Sequence, residues 1–355
     1  MNQITDAMEM VSHLSYPAFC VQDGVIVHAN TAATNHMIEP GTAVSQLLKT
    51  GAEEYAEFTD GCLYLTLTVC GQEQGFSVCR KNGFDLFCQI QDAENHALQA
   101  MSLAARELRE PLASIMISAD HLFPEGSDDP NVNNQLARIN RGLFQMLRLI
   151  SNMSDADRYC SRPASMEVKN ICAILDEIFA KAAALVEHSG VQLTYVGIND
   201  AIYGLVNTEM LERSVLNIIS NSLKFMPQGG TIQAKLTRRG QKLYVSILDS
   251  GSGIPESTRA DLFSRYTREP GVEDGRFGIG LGLVLIRSTA YQHGGTVLVD
   301  QPTEQGTRVT MTLAISSGST DHVRSPILKV DYAGERDHGL LELSEVLPAD
   351  LYKPQ

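Results

Sequence analysis

Asn217, Asn221 and Lys224 stand four and three residues apart, so on a helix two amides and an ammonium point the same way. Further on, Asp249-Ser-Gly251-Ser-Gly253 follows the strand-like run Leu243 to Leu248. An aspartate at a strand end can accept a hydrogen bond from an adenine amino group, and glycines let the backbone approach a ligand closely. A third string, Phe277-Gly278-Ile-Gly280-Leu-Gly282-Leu, leads into a helix predicted from Val284 to His293. Backbone amides of glycine turns at a helix N-terminus form an anion site that suits a triphosphate. A Rossmann fingerprint needs G-x-G-x-x-G directly after a strand, whereas this one reads G-x-G-x-G, and the chain has no Walker A lysine.

The elements that must position these groups differ along the 355 residues, which are enough for two or three domains. Pro17 to Asn30 reads as strand, Asp23-Gly24 turn, strand, and helical composition follows around Leu47 and Tyr55. Three alternating runs come next, Cys62 to Cys70, Gln74 to Cys79 and Phe84 to Ile90. From about Ala93, Leu98, Met101, Ala105, Leu108, Leu112, Ile115, Ala119 and Leu122 step by threes and fours, a heptad seam. After a turn-rich stretch from Pro124 to Asn131, a second seam runs through Leu136, Ile139, Leu143, Met146, Ile150 and Met153. Two such helices make an antiparallel hairpin, and two hairpins close a four-helix bundle, so a homodimer is the economical way to bury both seams. Pro111 predicts a kink in the first helix.

Bulk composition removes several classes of function. A net charge of -14 argues against a nucleic-acid partner, while one nucleotide at a local pocket stays compatible with it. Seven cysteines with no C-x-x-C spacing predict free thiols in a reducing cytoplasm, and His28 and His36 have no ligand-like spacing with them. No apolar run reaches the length of a membrane span, and the N-terminus has no basic region followed by an apolar one, so the expected location is cytoplasmic.

Four strings in order, Asn217 to Pro227, Asp249 to Pro255, Leu262 to Arg268 and Phe277 to Leu283, resemble the nucleotide-binding motifs of sensor histidine kinases, whose ATP-binding fold is shared with gyrase and mismatch-repair ATPases. Arg106-Glu107-Leu108-Arg109-Glu110-Pro111-Leu112 resembles that family's His-Glu-Leu-Arg-Thr-Pro-Leu box, with arginine where the phosphate-accepting histidine belongs. A guanidinium stays protonated and has no lone pair with which to attack phosphorus. The order of hairpin, short helices and three-stranded meander resembles a PAS sensory domain.

The resemblance implies a multidomain α+β chain: a PAS-like α/β sensor over 1–92, a dimerising helical hairpin with a degenerate histidine box over 93–158, and an α/β-sandwich ATP-binding domain over 159–315. Residues 316–355 lie outside that architecture and carry an apolar cluster from Leu340 to Leu351, which either docks on the domain or binds a partner. It implies ATP and Mg2+ as cofactors, with Asn217 acting at the reaction centre, Asn221 as the magnesium ligand and Lys224 facing phosphate. Asp249, Gly251, Gly253 and Thr307 would surround adenine, and Gly278, Gly280 and Gly282 would cradle phosphate. Arg265 and Arg268 are candidate phosphate contacts in the lid, against a solvated lid surface as the other reading, with Phe263 as its packing anchor. Glu107 would assist an acceptor as a base, and here it stands beside Arg106 instead. Glu110 replaces the residue that orients water in phosphatase action, and His96 and His121 are poorly placed to take over as acceptors. The function implied is a histidine-kinase-like sensor that binds Mg-ATP without autophosphorylating at the usual position, or a non-catalytic ATP-binding regulator of a partner kinase or response regulator. A gyrase-like ATPase fits less well, because those enzymes present Glu where this chain has Asn217.

Overall fold

The computed structural model describes residues 8–81, 83–90, 95–122, 129–161, 163–226, 229–254, 262–263, 281–302, 305–315 and 336–353. Strands β1 (Ala18–Gln22) and β2 (Val25–Ala29) pair antiparallel. Asp23 and Gly24 turn between them with φ of 51° and 76°, the left-handed pair that matches strand twist. Asn30 caps the short helix α1 (Thr31–Asn35), accepting from Ala33 N at 2.8 Å, and its amide donates to the carbonyls of Val11, Leu14 and Tyr16. A buried amide so fully used fixes the chain before β1 against the helix after β2.

Strand β3 (Leu48–Thr50), helix α2 (Ala52–Glu57) and the meander β4 (Cys62–Val69), β5 (Gln72–Lys81) and β6 (Phe84–Gln89) complete this N-terminal layer. Its strand order is β2-β1-β6-β5-β4, around a core in which the Phe19 and Phe87 rings stack at 4.7 Å.

Helix α3 (Asn95–Leu122) runs unbroken through Pro111, and α4 (Pro130–Ser161) packs against it. Pro130 opens α4 at the one position where a missing N–H costs nothing. Within the chain, the buried stripe is Ala105, Leu112, Met116, Leu143, Leu147 and Ile150. Of the expected seams, Leu108, Ile115, Ile139 and Met146 are 49–53% exposed within the single chain. A single hairpin buries only the stripe facing its own partner helix, so the other half of each heptad seam is left outward.

The C-terminal layer places α5 (Ile171–Glu187), α6 (Thr208–Lys224) and α7 (Gly282–Gln292) over β8 (Gln192–Val196), β10 (Thr231–Arg239), β11 (Lys242–Asp249), β12 (Val297–Asp300) and β13 (Arg308–Ala314). Alternation in β11 buries Leu243, Val245 and Ile247 toward the helices. A separate ribbon pairs β7 (Glu167–Asn170) with β9 (Tyr203–Val206).

The two layers are joined at a seam that the sequence pattern did not announce. Strand β12 pairs antiparallel with β4 through Val297–Tyr64, Leu298–Leu63 and Val299–Cys62, making one eleven-stranded sheet. Gly61 permits the approach, since a Cβ there would lie 2.3 Å from the Val299 carbonyl oxygen. Glu54, buried at the seam, takes Lys242 Nζ on both oxygens at 2.7 Å and the Thr312 hydroxyl at 3.1 Å. Among the described residues, no helix is long and apolar enough to cross a membrane.

Candidate functional site

Helix α6 starts under good control. Asn207 caps it by accepting from Met210 N at 2.9 Å, and the Asn207 amide N–H donates to His293 Nε2 at 3.1 Å. His293 Nδ1 faces the Thr289 carbonyl at 2.7 Å, so the ring is held as the neutral tautomer protonated on Nδ1. Burial pushes its pKa below the ordinary 6.5, against a smaller upward pull from the Thr289 contact. The register of α6 then sets Asn217 and Asn221 beside the first turn of α7. A Cβ on Gly282 would lie 3.3 Å from Asn217 Oδ1 and 3.7 Å from Asn221 Nδ2, so glycine there lets the two helices close on the amides.

Asp249 ends β11 and is 8% exposed. Its Oδ1 accepts from the backbone N–H of Gly251 at 2.9 Å and Thr307 at 3.0 Å, and its Oδ2 accepts the Ser222 hydroxyl at 2.9 Å. Each carboxylate oxygen has two acceptor sites, so Oδ1 is filled and Oδ2 keeps one lone pair for a ligand N–H. Gly251 and Gly306 are required by the closeness of this turn. A Cβ would lie 2.9 Å from Asp249 Oδ1 at the former and 2.1 Å from the Asp249 carbonyl at the latter. Gly253 adopts φ of 78°, and a Cβ there would press on Gln301. Residues 217, 221, 249, 251, 253, 282 and 307 therefore come together around the end of α6 and the turn after β11. Arg265, Arg268, Gly278 and Gly280 lie outside the described residues, as do the side chains of His96, Leu98 and Leu122. Phe263 is buried, with its ring 6.1 Å from Tyr64 and its carbonyl accepting from Arg287 Nη1 at 3.0 Å.

Asn217 and Lys224 keep company that belongs to none of the four motifs. Asn217 is 1% exposed, and its Oδ1 accepts from Arg148 Nη2 of α4 at 3.0 Å. Its Nδ2 donates to the Arg213 carbonyl at 2.9 Å and reaches Glu342 Oε2 at 3.5 Å. Glu342 closes the short helix α8 (His338–Glu342) and is completely buried. It is bridged by Arg148 Nε at 3.2 Å and Arg213 Nε at 2.9 Å. Arg213 also pairs with Asp155 and donates to Asn152 Oδ1 at 2.7 Å. Glu345 is held by Arg148 at 3.1 Å and by Lys224. Burial raises the Glu345 carboxyl, but Arg148 and Lys224 outweigh it and leave its pKa below the ordinary value of 4.5. Lys224 is lowered because burial outweighs the support from Glu345. Three cations meet three carboxylates here, so the cluster is neutral as built.

Arg106 and Glu107 are both exposed on α3, with Ala105 fully buried beside them, and Glu110 is exposed as well. Arg109 reaches back to Ser151 Oγ of α4 at 3.5 Å. The arginine in the box thus faces outward from the hairpin, with no described ion pair to Glu107.

Residues 207–317 match the family described as histidine kinase-, DNA gyrase B-, and HSP90-like ATPase, and this segment is an ATPase domain of that type. Hybrid signal transduction histidine kinase D of Dictyostelium discoideum is 24% identical over 248 residues, covering 67% of this chain and 16% of that protein. Histidine kinase P4 of Formosa agariphila is 25% identical over 258 residues, 71% of this chain and 19% of the relative. Adaptive-response sensory kinase SasA of Synechocystis sp. is 28% identical over 245 residues, 66% of this chain and 63% of the relative. These alignments are longer than the ATPase segment alone, yet the chain spans less than a fifth of the length of the first two relatives. Full-length ShkA, solved in complex with AMPPNP, shares the fold with a TM-score of 0.51 at 18% identity, over 62% of this chain and 47% of that one.

Proposed function

We propose that this chain, built on an ATPase domain of histidine-kinase type, is a cytoplasmic histidine-kinase-like signalling protein that binds Mg-ATP but has no phosphate acceptor at the usual place. The observation that carries the reading is the Asp249 carboxylate. Among the described residues three donors fix it and leave one lone pair on Oδ2, which suits the exocyclic amino group of adenine. Thr307 and Gly251 position that carboxylate through their backbone N–H groups.

Asn221, half-buried at the joint between α6 and α7, offers a hard amide oxygen of the kind magnesium accepts beside phosphate and water. When bound, the metal would neutralise charge on the β- and γ-phosphates. Lys224 would add a point charge on the same side, and Gly282 at the start of α7 supplies backbone N–H groups toward an anion. Arg265, Arg268, Gly278 and Gly280 enter the proposal from sequence alone.

Arg106 sits at the box position on the exposed face of α3. Its guanidinium can bind a phosphate but cannot carry one. The strand order β2-β1-β6-β5-β4 and the aromatic core of residues 18–89 support a PAS-like sensory role for that segment. The outward-facing Leu108, Ile115, Ile139 and Met146 support a homodimer through the hairpin. The unbridged thiols of Cys20, Cys70 and Cys172 among the described residues suit a reducing cytoplasm. A response regulator or a partner kinase would be the further partner.

Incubating the full chain with γ-labelled ATP and magnesium tests this directly. The expected result is nucleotide retention without acid-labile label on the protein, and acid-labile label that disappears with one histidine would refute it. Capture of Asn217 by Arg148 and Glu342 favours a second reading, an ATP-binding regulator with no phosphotransfer of its own. Label transfer to a purified response regulator would exclude that version.

A further inference from the structure

We propose that the C-terminal segment Asp337 to Tyr352 is an intramolecular anionic latch, in which Glu345 and Glu342 hold Lys224 and Asn217 and must let go before those groups can engage the phosphates of a nucleotide. This inference rests on the nucleotide reading above and names a regulation of the same site.

The segment is built to dock. Asp337 caps α8 by accepting from Leu340 N at 2.8 Å, and a 3-10 turn follows over Ala349–Tyr352. Leu341 is fully buried with Ala105, Leu112 and Leu143 in the hairpin core, whereas Leu343 and Leu347 are fully buried in the core of the ATPase layer. One short segment therefore bridges two cores. Helix α4 grips its backbone, as Arg141 donates to the carbonyls of Ser344 and Glu345 at 2.9 Å each, Gln145 to Ser344 at 3.0 Å and Asn140 to Tyr352 at 3.1 Å. The Tyr352 ring meets Phe144 at 5.2 Å, and its hydroxyl donates to the Leu340 carbonyl at 2.7 Å.

The chemistry at the contact is that of a phosphate site filled from within. A carboxylate presents anionic oxygens to an ammonium and a guanidinium as a phosphate would. With Glu345 in place, Lys224 is neutralised and only 12% exposed, and its attraction for an incoming phosphate is largely cancelled. Asn217 Oδ1 at the same time accepts from Arg148 with one of its two lone pairs, and its Nδ2 donates to a backbone carbonyl and reaches Glu342 at 3.5 Å. Because the segment is tethered to the domain it blocks, its effective concentration is of about millimolar order or higher, enough to compete with a nucleotide at similar concentration. The latch also reinforces the direct contacts between α4 and α6, in which Arg148 meets Asn217 and Arg213 meets Asp155 and Asn152, so its release removes one of several ties between the hairpin and the ATPase layer.

The test uses the full chain, magnesium and a non-hydrolysable ATP analogue in a titration calorimeter. Glu345→Gln should bind about tenfold more tightly than the native chain, since it removes one charge-assisted contact from Lys224. Arg141→Ala, which touches only the segment's backbone carbonyls and lies outside the nucleotide groups, should tighten binding in the same direction. Saturating analogue should also raise hydrogen exchange at residues 340–347 of the native chain. Equal affinities in all three proteins, or unchanged exchange at saturation, would overturn the latch while leaving the nucleotide reading intact. Failure of all three folded proteins to bind the analogue would overturn both.

Discussion

Removing Arg213 probes the charged centre of the molecule. This side chain is 1% exposed and serves Glu342, Asp155 and Asn152 at once. In Arg213→Met the stem is replaced by a side chain of similar reach, so packing changes little while the guanidinium is lost. Glu342 keeps Arg148 at 3.2 Å, but Asp155 loses its guanidinium partner and three cations against three carboxylates become two against three. Truncating one partner of a buried ion pair costs about 3–5 kcal/mol, because the other charge is left without compensation. For a domain stable by about 5–15 kcal/mol that is a large part of the total. With a urea slope of about 1–3 kcal/mol/M, the midpoint should fall by about 1 M or more. The chain has no Trp, so unfolding is followed by tyrosine fluorescence, with Tyr352 reporting on the docked segment. Adding Asp155→Asn to Arg213→Met removes the uncompensated negative charge and should recover part of the loss, a non-additivity expected of contacting residues. A midpoint for Arg213→Met equal to that of the native chain, or strict additivity in the double variant, would refute the reasoning.

Further outcomes follow from other parts of the fold. Gly61→Ala sets a Cβ 2.3 Å from the Val299 carbonyl in a residue with φ of 95°, so the β4–β12 pairing should open and hydrogen exchange at residues 297–299 should rise, with β10 and β11 unaffected. His293 has a depressed folded pKa, so its unfolded form binds the extra proton first. Stability is full above the ordinary value of 6.5 and is lost as pH falls from there through the folded pKa, a slope that His293→Gln should flatten in thermal melts taken at successively lower pH from above 6.5. Arg106→His combined with Glu345→Gln should acquire acid-labile label from γ-labelled ATP while Glu345→Gln alone does not, and label in neither would count against an otherwise competent ATPase layer.

Much of this was legible where the signal is local. The Asp23-Gly24 turn, the alternating strands and the register of Asn217, Asn221 and Lys224 are patterns of near neighbours, and they lie where the sequence placed them. The heptads gave two helices but not which half of each seam a single chain buries, because a second hairpin would use the other half. The β4–β12 seam left no trace, since an edge strand carries the same alternation whether or not another layer adds to it. Arg148, Arg213 and Glu342 were missed because they lie 65 to 194 residues apart and belong to no motif. Two cues existed: Arg213 lies one turn before Asn217 on the same face of α6, and Glu342 is a carboxylate flanked by Leu341 and Leu343 at the start of the cluster from Leu340 to Leu351. A charge inside an apolar run is worth reading as half of a buried pair.

Mg-ATP binding by the full chain, compared with Asp249→Asn, tests the central claim most directly. Asparagine keeps the size of the side chain but turns one acceptor oxygen into a donor, which opposes both the adenine amino group and the Ser222 contact. The account predicts saturable binding by the native protein and a loss of at least about tenfold in the variant. Equal binding by the two proteins, or none by the folded native chain, would contradict it.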